Sequence, residues 1–161
     1  MPASAGRARR WVTRGEAETE RLGAALAAEL APDGLLLLSG DLGSGKTVLA
    51  RGVAGALGID PRQVLSPTYN LIREHRGAGG SLVHVDLYRL RPEEAAALGL
   101  DELLAGPGVK VVEWAERLPV QAAAATTPPA PLLALTLRRL PGSGDDAREI
   151  VEAAPPAAAP G

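Results

Sequence analysis

The sequence contains no cysteine and no phenylalanine, and its few aromatic residues are two tryptophans and two tyrosines. The absence of cysteine excludes disulfide bonds and cysteine-ligated zinc, and two histidines argue against a metal site built from imidazoles. No apolar run reaches about 18 residues, so no membrane span is predicted. The basic residues 1–10 are not followed by an apolar core, which argues against a secretory signal. We therefore expect a cytoplasmic protein.

Length and charge set further limits. A chain of 161 residues suits a single domain. The net charge is −2, so any contact with nucleic acid requires a local basic patch or a partner protein. The composition predicts a flexible basic extension at 1–11, one domain at 12–152, and a disordered Ala/Pro-rich tail at 153–161.

The most informative motif is Gly-Asp-Leu-Gly-Ser-Gly-Lys-Thr at residues 40–47, which fits the phosphate-binding pattern G-x-x-x-x-G-K-[ST]. A leucine run at 35–38 precedes it and predicts a buried strand, and apolar residues at helical spacing follow it. Glycines let backbone N–H groups surround phosphate oxygens. The lysine of such a motif binds the β- and γ-phosphates, and the threonine hydroxyl binds Mg²⁺. We expect the nucleotide to contact Asp41, Leu42, Gly43, Ser44, Gly45, Lys46, Thr47 and Val48.

Two apolar segments after this loop end in an acid. Residues 81–86 end in Asp86, and residues 109–113 end in Glu113. The carboxyl ends of parallel strands collect ligands in an α/β sheet, so both acids are expected at the nucleotide edge. Glu113 could orient the attacking water, ligate Mg²⁺ directly or through water, or do both in turn. We predict Thr47, Asp86 and Glu113 as the metal-binding set. The predicted catalytic residues are Lys46, Thr68, Asp86 and Glu113.

The remaining candidates are weaker. Thr68 lies in a proline-containing loop between the phosphate loop and the second acid, where nucleotide switches sense the γ-phosphate. His75 and His84 are expected to be surface and strand residues without a catalytic role. No guanine-reading Asn-Lys-x-Asp motif occurs, which argues against a GTPase, and the scattered arginines give no positive support to a small-molecule kinase.

The predicted elements define a three-layer α/β domain of the P-loop NTPase class, with a parallel core sheet and antiparallel additions. The additions are a hairpin within 69–87 and a closing hairpin formed by residues 132–139 and 148–151. Thr13 to Glu16 also fits a helix capping box. A short helix is predicted to begin at Pro92 with two early acids, Glu93 and Glu94.

The chain resembles the TsaE (YjeE) family, the bacterial ATPases of tRNA threonylcarbamoyladenosine biosynthesis. Five segments carry the resemblance, in the family's order and at similar spacing. They are the phosphate loop, Ser-Pro-Thr-Tyr at 66–69, His-Val-Asp-Leu-Tyr-Arg-Leu at 84–90, Leu-Gly-Leu-Asp-Glu at 98–102, and Val-Glu-Trp-Ala-Glu-Arg-Leu-Pro at 112–119. One minor departure is Val48, where the family often has a second threonine.

The resemblance implies a weak ATPase that uses ATP and Mg²⁺ and acts on the partner proteins TsaD and TsaB, reaching tRNA indirectly to support modification of adenosine 37. By position, Lys46 would bind phosphate. Thr47 and Glu113 would contact Mg²⁺, and Asp86 would contact the metal or its bound water. Thr68 would belong to the switch-like loop. Trp114 would lie near the nucleotide, with Arg148 and residues 13–16 as weaker contacts. Two alternatives stay open: a nucleotide-gated binding module in which hydrolysis is incidental, and a small-molecule kinase.

Overall fold

The computed structural model describes residues 8–64, 71–118, 130–142 and 146–153. Within them the chain forms seven strands, four α-helices and two 3₁₀ turns. The strands are β1 (Arg10–Arg14), β2 (Leu35–Ser39), β3 (Ile72–Gly77), β4 (Gly80–Asp86), β5 (Val109–Glu113), β6 (Leu132–Arg139) and β7 (Ala147–Ala153). The helices are α1 (Glu16–Leu30), α2 (Lys46–Ala56), α3 (Pro92–Ala97) and α4 (Leu100–Ala105), and the 3₁₀ turns are Pro61–Gln63 and Ala115–Arg117.

All seven strands form one sheet in the order β1-β7-β6-β2-β5-β4-β3. The four inner strands β6, β2, β5 and β4 run parallel, and β3, β7 and β1 add antiparallel pairs at the two edges. Both hairpins and the short helix from Pro92 are confirmed. The predicted fold class, a parallel core with antiparallel additions, is therefore correct.

The sheet is covered on both faces, which explains why its central strand is an uninterrupted leucine run. Leu36 and Leu38 face a core shared with α1 and α2, whereas Leu35 and Leu37 face a second core shared with α4. Parallel strands buried on both faces read as continuous apolar sequence. This arrangement makes the three layers that the sequence predicts.

Helices α1 and α2 pack unusually closely because a glycine from each lies at their contact. A Cβ placed on Gly23 would lie 2.2 Å from the carbonyl oxygen of Leu49, and one on Gly52 would lie 1.9 Å from that of Glu20. Neither position has room for any side chain. The close contact anchors α2, the helix that follows the phosphate-loop motif.

Two boundary expectations differ from the structure. Strand β1 begins at Arg10, inside the predicted extension, because Arg10 and Trp11 pair with Val151 and Ile150; β7 correspondingly continues to Ala153. The capping box is wrong. Thr13 belongs to β1 and Gly15 is the N-cap of α1, with no side-chain cap hydrogen bond.

The start of α1 is instead held by different contacts. The Thr13 and Thr19 hydroxyls are hydrogen-bonded at 2.7 Å, and the carboxylate of Glu18 accepts from the backbone N–H of Arg14 at 2.7 Å. None of the helices in the described ranges is long and apolar enough to cross a membrane.

Candidate functional site

The phosphate-loop motif forms the turn between the central strand β2 and helix α2. Gly40, Gly43 and Gly45 have φ of 144°, 78° and 105°, a region that other residues rarely adopt. At Gly40 there is also no space, because a Cβ would lie 2.3 Å from the carbonyl oxygen of Leu137. Gly45 is the N-cap of α2 without a side-chain cap, so the helix start presents its dipole to the loop.

Lys46 lies folded over the inside of this loop. Its ammonium donates to the carbonyl oxygens of Gly40 at 2.5 Å and Asp41 at 2.9 Å, and lies 4.1 Å from the centre of the Trp114 ring. The residue is only 4% exposed. Burial lowers the pKa of Lys46, and the negative charges of nearby carboxylates, Glu113 first, oppose that change. The loop thus concentrates a desolvated positive charge beside its N–H groups.

Glu113 is the acid that meets the loop directly. It ends β5, next to β2, and is 2% exposed. Its Oε1 accepts a hydrogen bond from the Thr47 hydroxyl at 2.7 Å, and its Oε2 lies 2.5 Å from Nε2 of His84. The carboxylate therefore has a partner on each oxygen.

Asp86 lies beside Glu113 but is oriented differently. The two acids are register partners at the ends of β4 and β5, and Asp86 is 4% exposed. Its Oδ1 accepts from the backbone N–H of Tyr88 at 2.9 Å, which stabilises the turn after β4. Of the two predicted acids, only Glu113 is hydrogen-bonded to Thr47.

A cavity of about 320 Å³ opens in front of these groups. One wall is formed by the loop and by the end of β5, another by the start of α1, and a third by the β6–β7 hairpin. The residues from the sequence prediction that line it are Leu42, Gly43, Ser44, Gly45, Lys46, Thr47, Val48, Glu113, Trp114, Gly15, Glu16 and Arg148. Asp41 and Asp86 are not among its lining residues, and Thr68 lies outside the described residues.

An aromatic and cationic cluster borders the cavity. Tyr88 and Trp114 lie with ring centres 4.8 Å apart, and the guanidinium of Arg117 lies 5.5 and 5.4 Å from the two rings. Arg117 also donates to the carbonyl oxygen of Tyr88. Trp114 has φ of 60°, so the backbone turns sharply immediately after Glu113. These contacts hold the rim beside Lys46.

Sequence reasoning missed three contributors to the site. His84, expected to be an ordinary strand residue, is fully buried and contacts Glu113. Glu116 accepts from the backbone N–H of Gly40 at 3.2 Å, and Arg139, the register partner of Arg148, lines the cavity. One signal was available for His84: it precedes Asp86 by two residues and so lies on the same face of β4.

The donor set suits a hard cation. Among the described residues, no three His, Asp or Glu side chains gather as a potential metal cluster. A hydroxyl hydrogen-bonded to a carboxylate offers oxygen donors, which Mg²⁺ prefers, and Mg²⁺ usually takes few protein ligands with the rest from water and phosphate. Thr47 and Glu113 therefore fit the predicted metal site, and that assignment stays a prediction.

A glycine-rich loop between a central parallel strand and a helix, with an acid at the end of the adjacent strand, defines a P-loop protein. Comparison with known proteins agrees. The chain superimposes on the crystal structure of YdiB from Bacillus subtilis with a TM-score of 0.65 and 34% identity, covering 91% of this chain and 84% of YdiB.

Residues 13–141 match the family described as threonylcarbamoyl adenosine biosynthesis protein TsaE. A TsaE of Bacillus subtilis is 40% identical over 141 residues, which cover 88% of this chain and 82% of that protein. A TsaE of Nostoc is 41% identical over 105 residues, 63% of this chain and 64% of the relative. The chain therefore belongs to the TsaE family, proteins of tRNA threonylcarbamoyladenosine biosynthesis, as its sequence resemblance indicates.

Proposed function

We propose that this chain is a Mg²⁺-dependent ATPase that supports tRNA threonylcarbamoyladenosine formation by acting on the TsaB–TsaD pair. The observation that carries the ATPase assignment is the 2.7 Å contact between Thr47 and Glu113 beside the glycine-rich loop. Membership in the TsaE family supports the pathway. The partner pair is proposed from the sequence resemblance.

Phosphate binding and cation binding would be carried out by different residues of the site. Loop N–H groups and Lys46 would bind the β- and γ-phosphates. Because Lys46 is buried, water screens the attraction between its ammonium and a phosphate only weakly. Thr47 donates its hydrogen to Glu113, which leaves the hydroxyl lone pairs available to a cation. Bound Mg²⁺ would neutralise charge that develops on the phosphates.

Glu113 and Asp86 would serve different steps. Glu113 holds Thr47 and lines the cavity, so it is placed to orient a water molecule near the terminal phosphate. Asp86, in register with it, adds negative charge at the same sheet edge while its Oδ1 stabilises the Tyr88 turn. Arg139 and Arg148, register partners on the hairpin wall, both line the cavity and would place positive charge near the nucleotide phosphates.

The test is ATP hydrolysis by the purified chain, alone and with cognate TsaB and TsaD, with Lys46→Ala as the control. We expect weak hydrolysis alone, a marked rise with the pair, and loss of both in the control. Strong hydrolysis by the chain alone, at a rate that TsaB and TsaD do not change, would separate this chain from the pathway and favour the small-molecule kinase.

A further inference from the structure

His84 is a fully buried imidazole in a strand that is otherwise apolar at its centre. It lies in β4 between the register partners Arg73 on β3 and Val111 on β5, and its exposure is 0%. It is on the same face of β4 as Leu82, which belongs to the core shared with α1 and α2. Burying a polar ring is unfavourable unless it forms hydrogen bonds, so the contacts of its two nitrogens indicate its role.

Within the described residues, only one of those nitrogens has a hydrogen-bond partner. Nε2 lies 2.5 Å from Oε2 of Glu113, while Nδ1 is buried with no partner in the described part of the chain. An ionised carboxylate can only accept, so Nε2 carries the hydrogen and donates it. Among the residues that the structure describes, the one polar contact of this ring is therefore with Glu113.

The contact restricts the rotation of the Glu113 carboxylate. Torsions that end in a carboxylate have a broad energy minimum, so an unsupported glutamate rotates easily. Here Oε2 is held by His84 and Oε1 receives the Thr47 hydroxyl at 2.7 Å. The two hydrogen bonds that join His84, Glu113 and Thr47 lead from the core to the cavity, and they fix the direction of the Thr47 lone pairs.

We propose that His84 is a positioning residue: its Nε2–H holds Glu113 so that Glu113 orients Thr47 toward a divalent cation on the nucleotide. This rests on the proposed function, since the cation and nucleotide belong to it. Partners behind metal ligands commonly change metal affinity or activity by about 10- to 100-fold when removed. His84 would thus act through Glu113 without touching nucleotide.

The variants separate positioning from simple filling of the core. His84→Leu removes the donor and keeps apolar volume, while His84→Gln retains an N–H donor at similar reach. His75→Gln is the matched control, because it alters the only other histidine, on the neighbouring strand, whose Nε2 is also buried without a partner in the described residues.

Binding of a non-hydrolysable ATP analogue is measured by calorimetry with and without Mg²⁺. We expect His84→Leu to reduce the Mg²⁺-dependent gain in affinity about tenfold or more, with Mg²⁺-free affinity changed less than about twofold. In hydrolysis assays kcat should fall about 10- to 100-fold with little change in KM. His84→Gln should recover most of both, and His75→Gln should match the wild type.

An NMR experiment on the chain with ¹⁵N-labelled histidine tests the contact itself. The His84 Nε2–H should give a slowly exchanging, downfield proton signal that disappears in Glu113→Ala and persists in His75→Gln. A signal unaffected by Glu113→Ala would overturn the proposal even if His84→Leu failed to fold. The proposal would also be overturned if His84→Leu changed only the melting temperature. It would be overturned too if His84→Gln recovered no more Mg²⁺-dependent affinity and kcat than His84→Leu.

The wild type distinguishes the two levels of inference. A wild-type chain that neither binds nor hydrolyses ATP with Mg²⁺ would refute the proposed function, and the cation role of His84 with it. If the wild type hydrolyses ATP and the His84 variants show the same Mg²⁺ dependence of nucleotide affinity as the wild type, only the role of His84 is overturned.

Discussion

At the scale of single residues, the site depends on a few side chains whose surroundings differ although their types are similar. Glu113 is 2% exposed and hydrogen-bonded on both oxygens, while Glu116 accepts from the backbone N–H of Gly40. Asp86 shares the sheet edge but stabilises a turn. Of these three acids, Glu113 alone is joined to Thr47.

Glu113→Gln should therefore separate hydrolysis from binding. The amide keeps the shape of the side chain but cannot take a proton from water, so we expect hydrolysis to fall about 10²- to 10³-fold. Binding of Mg²⁺-free nucleotide should change little. The measurements are single-turnover hydrolysis and tRNA modification with TsaB and TsaD, with Glu102→Gln, an exposed glutamate of α4, as control. Normal tRNA modification despite lost hydrolysis would support the nucleotide-gated binding module.

At the scale of elements, two contacts matter most for the placement of the site. The glycines between α1 and α2 allow these helices to touch backbone to backbone, which sets the position of Lys46 and Thr47 at the start of α2. The β6–β7 hairpin carries one wall of the cavity, and Glu149 on β7 is hydrogen-bonded to Arg138 on β6 and to Arg10 on the edge strand β1.

Gly52→Ala should destabilise the protein, whereas Gly55→Ala in the same helix should stabilise it. The added methyl of Gly52→Ala would lie 1.9 Å from a carbonyl oxygen of α1, so we expect a loss of about 1–3 kcal/mol or more. At Gly55 the nearest atom is a proline ring carbon at 3.4 Å, so lower chain entropy should contribute about 0.5–1 kcal/mol. Urea unfolding of both variants measures the difference. Equal effects would contradict the close helix contact.

Glu149 should make the sheet edge sensitive to acid. Its carboxylate accepts from Arg138 at 2.6 Å and Arg10 at 2.5 Å, and these hydrogen bonds lower its pKa below the usual 4.5. A depressed carboxyl pKa contributes stability above pH 4.5 that is lost as pH falls through the folded-state value. Glu149→Gln should thus melt below wild type at pH 7, and the gap should close toward acid. Melting curves between pH 7 and pH 2 test this, and a constant gap would contradict it.

At the scale of the whole molecule, both signs of charge meet at the cavity. Three cations, Lys46, Arg139 and Arg148, line it together with three acids, Glu16, Glu113 and Asp146. Cationic side chains suit phosphate oxygens, and carboxylates suit a divalent cation that accompanies them. The cavity lies where the core of α1 and α2 meets the β6–β7 hairpin, so a ligand bound there would join separate parts of the fold.

Nucleotide should consequently stabilise the entire domain. At a ligand concentration one hundred times Kd, the native state gains about 2.7 kcal/mol. For a chain of this size that corresponds to a rise in Tm of roughly 5–10 °C. Thermal melting with ADP or ATP and Mg²⁺ measures the shift, and Lys46→Ala should abolish most of it. A similar shift in Lys46→Ala would place the nucleotide elsewhere.

Local patterns were sufficient to predict much of this protein. The leucine run and loop glycines specified the strand, the turn and the helix of the motif, because backbone freedom and burial periodicity depend on neighbouring residues. The same reasoning found both hairpins and the two strands that end in acids. The capping box failed because pairing of Thr13 with Arg148, far along the chain, placed it in a strand.

What the sequence by itself determined was the chemistry available: a phosphate-loop motif, two acids at strand ends, and membership in a family recognisable from five segments. Only the tertiary structure decided which acid meets Thr47, that a histidine 29 residues from Glu113 holds its carboxylate, and that Arg139 joins Arg148 at the cavity. The physical reason is register. Which side chains meet across strands depends on how distant segments align, and that alignment is set by packing of the whole sheet.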